Sequence, residues 1–200
     1  HADERTDGDI DAHSHIWTRD IEHYPLAKGQ TLDDLAPSSF TAEELLELAR
    51  PLGVGRVVLI QHKPYHGLDN SYITDSIAKY PGVFSAVACI DAEGPHPDAE
   101  MVKLKAQGVR GFRILSSEGG ASRWAHSDGM RTMWDAGAKE NLAMCPLIDA
   151  SALPLVDEQG EGTIGGVEGL DRGGHRVVLS PDVRTEAGMS GAGAGSFSGA

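Results

Sequence analysis

Five short apolar runs, each separated from the next by a stretch of helical periodicity, restrict this chain more than any other feature. The runs are Ile10–Trp17, Arg56–Gln61, Phe84–Asp91, Val109–Leu115 and Leu142–Ile148. They are rich in Val, Ile, Leu and Ala, as strands buried on both faces are. The intervening segments carry readable helix ends. "TAEELLELA" has Thr41 and Glu44 in capping-box spacing and puts Leu45, Leu48 and Ala49 on one face. "SYITDSIAKY" follows Asn70 and stops at Pro81-Gly82, "DAEMVKLKAQG" ends at Gly108, and "DGMRTMWDAGAKE" takes Ser127 or Asp128 as its cap. This β-α-β-α order predicts an α/β fold with a parallel sheet and right-handed crossovers.

A (β/α)8 TIM-type barrel and a doubly wound sheet both satisfy that order. No Gly-rich phosphate loop follows the first strand, which argues against a dinucleotide-binding fold. The pattern holds to residue 156 and then changes: residues 157–200 carry 12 of the 25 glycines and little apolar periodicity. A full barrel needs about 250 residues. The expectation is therefore an incomplete barrel of five or six βα units over residues 1–156. A Gly-rich irregular tail, 157–200, follows, with one further strand at 175–182 ("HRVVLSPD"). A truncation or frame change near residue 156 would account for the loss of pattern, and the open strand edges of a partial barrel would invite an oligomer.

The formal net charge of −13 argues against a nucleic-acid partner, because phosphate backbones are held by Lys and Arg. No run approaches the roughly 18 apolar residues of a membrane span, and the N-terminus has no signal-like apolar segment. Cys89 and Cys145 lie in apolar runs and read as reduced core thiols, which together point to a cytoplasmic protein. The expected partner is a small-molecule substrate.

The chemistry concentrates in "DIDAHSHIW". On a regular strand Asp11, His13 and His15 would share one face. Neutral imidazoles suit zinc and similar ions, and two at i and i+2 deliver two ligands from one rigid element. An isolated H-x-H can also be structural; its place on the first strand of a βα series favours a site, since barrel chemistry collects at the C-terminal strand ends. Arg113, at the end of the fourth strand in "GVRGFRI", could hold a substrate carboxylate by a two-point contact, or pair with a neighbouring acid. Arg110 reads as surface. Gln61, His62, Tyr65 and His66 follow the second strand, and the histidines read as exposed loop residues. Trp17 could wall a pocket or simply pack; Trp134, with Met130 and Met133, reads as core. Trp124 and His126 suggest a lid, and Asp149 a supporting acid.

"IDAHSHIW", with "RVVLIQ", "YPGVFSAVACID", "GVRGFRI" and "LAMCPLI" in order, resembles the N-terminal half of the amidohydrolase-related family. The likeness is greatest to the branch containing 2-pyrone-4,6-dicarboxylate lactonase and related metal-dependent hydrolases. The resemblance implies a distorted (β/α)8 barrel, with His13 and His15 as ligands of a divalent metal, zinc or manganese. It implies hydrolysis of a lactone, amide or related carbonyl of a carboxylated substrate. Decarboxylases of similar fold, lactonases that need no metal, and a truncated inactive relative are the alternatives. The family's later ligands and its catalytic aspartate have no clear match: His175 precedes the sixth run, and Asp182 at its end is the one candidate for the base.

Overall fold

The computed structural model describes residues 8–115 and 126–147. Five parallel strands form one sheet in sequential order: β1 (Asp9–Ser14), β2 (Val54–Ile60), β3 (Phe84–Ala88), β4 (Val109–Leu115) and β5 (Ala143–Leu147). Helices α1 (Ala42–Ala49), α3 (Ser71–Lys79), α4 (Pro97–Ala106) and α5 (Asp128–Glu140) occupy the crossovers. A single helical turn, α2 (Lys63–His66), interrupts the loop after β2. Together these elements make a curled, half-barrel-like α/β sheet, as the strand-helix alternation predicts. The tail 157–200, the strand at 175–182, Asp149, His175 and Asp182 lie outside the described residues, as does Trp124.

The sheet sorts its side chains by alternation. Val57 and Leu59, Ala86 and Ala88, Phe112 and Ile114, and Met144 belong to one buried cluster with Leu45, Leu46, Ile73, Met101, Leu104, Met133 and Trp134 from the helices. The opposite, concave face carries Ile60, Val87, Arg113, Leu115, Cys145 and Leu147, and exposure rises along it to Leu147 at 44%. The core therefore lies between sheet and helices, and the other face is left to line a cavity.

Local chemistry sets the helix ends. The Thr41–Glu44 capping box forms: the Glu44 amide donates to Thr41 Oγ1 at 3.2 Å, and the Thr41 amide to Glu44 Oε2 at 2.6 Å. Ser127 Oγ accepts from the Met130 amide at 3.0 Å and starts α5. Gly108 ends the α4 segment at φ +102°, a left-handed value that a side chain resists; an added Cβ would also lie 2.7 Å from Ile77. Asn70 stands at the N-terminal cap position of α3, but its side chain makes no capping hydrogen bond. Its amide bridges to β3, donating to the Cys89 carbonyl at 2.8 Å and accepting from the Cys89 amide at 3.0 Å. The backbone left unpaired where β3 ends takes this side chain as its partner.

Glu43 of α1 ties that helix to α3, accepting from Lys79 Nζ at 2.7 Å and Tyr80 Oη at 2.5 Å. The two donors, Lys79 foremost, pull the Glu43 carboxyl down to about 2. A carboxylate depressed on folding contributes stability above its ordinary pKa and loses it as pH falls toward the folded value. Glu43→Gln should lower the melting temperature slightly near pH 6, by little because the pair is exposed. The gap to wild type should close between pH 4.5 and 2; a constant gap would mean the carboxylate is not the source.

Candidate active site

β1 does not run straight through the histidines. Asp11 pairs with Val57 and Ser14 with Leu59, so three steps on β1 oppose two on β2. Such a bulge bends the strand and re-aims side chains. Asp11 stabilises the bend itself, accepting from the His13 amide at 3.0 Å and from the Ser14 hydroxyl. This corrects the expectation of three polar groups on one face: the Asp11 carboxylate is turned onto its own strand. The strand ends at Ser14 instead of Trp17, whose backbone pairs with Phe40 and not with β2.

The bend brings the two imidazoles together. His13 Nε2 lies 3.2 Å from His15 Nε2, with the rings 5.0 Å apart at 82°. His15 Nδ1 donates to the Ile60 carbonyl at 2.8 Å across to β2, which fixes the tautomer and leaves Nε2 with its lone pair. Burial lowers the His15 pKa; the Ile60 contact opposes that, and His13 and Arg113 add to it.

The loop after β2 holds two kinds of side chain. Gln61 Nε2 donates to the Asp69 carbonyl at 2.5 Å and the Gly67 carbonyl at 3.3 Å. His66 Nδ1 donates to the Pro25 carbonyl at 3.2 Å, and its Nε2 accepts from the Thr18 amide at 3.5 Å. His66 is 3% exposed, so its reading as a solvent-facing loop histidine is wrong: backbone groups with no sheet partner hold it inside. His62 is different. It is half-buried, packed against Trp17, Tyr65 and His15. Burial first, then His15, His66 and Arg113, push its pKa down to about 4, so the ring is neutral at pH 7.

A cavity of about 500 Å³ opens on the concave face beside these groups. His15, His62, Lys63 and Arg113 supply its polar wall, and Leu115 and Leu147 its apolar bed. No carboxylate is among the described residues that line it, although the chain carries a net charge of −13. Arg113 sits opposite Cys145 in the β4–β5 register. Burial raises both Cys89 and Cys145 to about 11, with Arg113 only partly offsetting it, so neither thiol is ionised near neutral pH. Trp17 is nearly buried and donates its Nε1–H to the Pro37 carbonyl at 2.9 Å, a packing role that also backs His62. Arg110 is exposed, as expected, and so is His126. Of the sequence candidates, His15 and Arg113 share the cavity, and His13 adjoins it through His15. His62, expected as an exposed loop histidine, is half-buried in the cavity wall instead, and Lys63 beside it was not among the candidates; their place directly after the C-terminal end of β2 was the available signal.

The family model for amidohydrolases matches residues 10–149. The chain belongs to the amidohydrolase family. No curated protein gives a significant match. A protein from Pseudomonas putida assigned as a 2-pyrone-4,6-dicarboxylic acid hydrolase shares the fold at TM-score 0.65 and 16% identity, covering 86% of this chain and 56% of that one. An amidohydrolase from Burkholderia multivorans with bound zinc gives 0.60 and 15%, covering 77% and 54%. A 5-carboxyvanillate decarboxylase from Novosphingobium aromaticivorans with bound manganese gives 0.52 and 16%, covering 82% and 57%. This amidohydrolase-family chain spans little more than half the length of these proteins.

Metal-bearing members pose a test for the donor set. Two nitrogens bound at about 2.0–2.1 Å to one tetrahedral ion lie about 3.3 Å apart. The 3.2 Å between His13 Nε2 and His15 Nε2 fits that spacing, and the Ile60 contact is the outer partner a ligating histidine needs. Among the described residues no group of three or more His, Cys, Asp or Glu is placed to hold an ion. Two ligand positions fit; a third donor is not among the described residues.

Proposed function

We propose that this chain carries the metal-binding half of a metal-dependent hydrolase that acts on a lactone, amide or related carbonyl of a small carboxylated molecule. The observation that carries the reading is the convergence of His13 and His15 beside a cavity that contains Arg113 and has no carboxylate among its described lining. His13 and His15 would hold a divalent ion, zinc or manganese. When bound, such an ion lowers the pKa of water and polarises a carbonyl. Arg113 binds and orients the substrate carboxylate by a planar, two-point contact. Leu115 and Leu147 receive its apolar part. Asp182 is the proposed proton acceptor, on the strength of the family resemblance alone.

Two observations support other readings. The manganese-bearing decarboxylase has the same fold, so loss of a carboxylate from a related substrate is the enzymatic alternative. A donor set of two histidines among the described residues is the observation behind a third reading, an inactive relative or one active only in an assembly. Elemental analysis of the purified 200-residue chain, with a panel of carboxylated lactones assayed with added zinc or manganese, separates them. One bound ion with lactone opening supports the hydrolase. Carbon dioxide release without opening supports the decarboxylase, and neither ion nor turnover rejects both.

A further inference from the structure

The ring of His62 is gripped on three sides. Its centroid lies 5.2 Å from Trp17 at a shallow 31° tilt, 4.3 Å from Tyr65, and 4.9 Å from the edge-on ring of His15. Its Nδ1 is shut off from solvent and has no hydrogen-bond partner, while the ring forms part of the cavity wall. Buried N–H groups without acceptors are rarer and costlier than buried lone pairs without donors. The N–H that the ring can offer to a ligand is therefore the one on Nε2, the nitrogen that is not sealed in. Trp17 and Tyr65 hold the ring against rotation, so a molecule entering the cavity meets a donor that is already oriented.

We propose that His62 is a ligand-binding residue, whose Nε2–H donates to an acceptor oxygen of the same molecule whose carboxylate Arg113 holds. The inference rests on the reading of the cavity as a site for a small carboxylated molecule, and it narrows that class. The ligand should be compact, with one carboxylate for Arg113 and a second acceptor, a carbonyl or another carboxylate, for His62. The flanking Leu115 and Leu147 suit a flat apolar body between the two polar ends.

Isophthalate, a planar ring with two carboxylates, is the probe, titrated calorimetrically into the full chain at pH 7. His62→Phe keeps the aromatic packing and removes only the nitrogens; it should bind about tenfold more weakly, the worth of one hydrogen bond. His62→Gln restores an N–H near the Nε2 position and should recover most of that loss. Long-range proton–nitrogen NMR of the wild type, with the His62 signal assigned by its loss in His62→Gln, should show the Nε2–H tautomer, shifting on addition of isophthalate. That spectrum decides the matter even if His62→Phe folds poorly. Weak binding by Arg113→Met with unchanged binding by His62→Phe overturns the role of His62 and leaves the cavity reading standing. A His62 ring whose Nε2 carries no proton at pH 7 overturns it as well. If Arg113→Met binds as tightly as wild type, or wild type does not bind isophthalate, the reading of the cavity fails and takes this inference with it.

Discussion

Changing His13 and His15 together to alanine should abolish stoichiometric binding of zinc or manganese and reduce lactone turnover by more than about a thousandfold. The size follows from comparison: removing a partner that merely orients a ligand costs about 10- to 100-fold in affinity or activity, and this change removes two ligands. Both come from one bent strand end, so each single change leaves a lone imidazole that cannot chelate. The two single variants should differ in stability. His13 is exposed, whereas His15 is half-buried and donates to Ile60 across to β2. His15→Ala should therefore lower the melting temperature of the metal-free protein, and His13→Ala should leave it near wild type. Metal content by elemental analysis and melting with and without a chelator would read both effects. Wild-type protein that binds no ion, or a double variant with undiminished turnover, would defeat the metal assignment.

The layout of the sheet was legible because the strand-helix alternation depends on burial periodicity, which a sequence displays directly. β4 is the clearest case: "VRGFRIL" runs from Val109 to Leu115 as expected, with Phe112 and Ile114 toward the helices and Arg113 toward the cavity. The same alternation placed His13 and His15 together and then failed for Asp11. A bulge adds a residue without marking the hydrophobic pattern, and only the β1–β2 register reveals it. The loop after β2 was opaque for another reason. Gln61, His66 and Asn70 satisfy backbone groups of Asp69, Pro25 and Cys89, and those partners cannot be located until the chain is folded. His62 belongs to the same loop and looks equally polar in sequence. What sets it apart is the grip of Trp17 and Tyr65, 45 residues away and 3 residues away respectively, which fixes its ring beside His15.

Arg113→Met should lower kcat/KM for a carboxylated substrate by about 100- to 1,000-fold, roughly 3–4 kcal/mol, the loss expected when a half-buried charged contact to a carboxylate is removed. Methionine keeps the stem that packs along the concave face and removes only the guanidinium. Stability should fall little or not at all, because Arg113 faces Lys63 and two histidines in a cavity with no carboxylate among its described lining. Arg113→Lys should recover only part of the loss, since an ammonium makes a point contact where the guanidinium makes a planar fork. Two controls tie the effect to the charge. For the methyl ester of the same substrate, wild type and Arg113→Met should differ by less than about tenfold, because no carboxylate remains to be held. The charge of Arg113 also depresses the pKa of both His15 and His62, so both rings should titrate at higher pH in the variant when followed by NMR. If both titrations move but the ester suffers the same loss as the acid, Arg113 tunes the histidines and does not hold the substrate. Equal losses with unmoved titrations would mean instead that Arg113→Met reshapes the cavity, and the proposed carboxylate anchor would have to lie elsewhere in the chain.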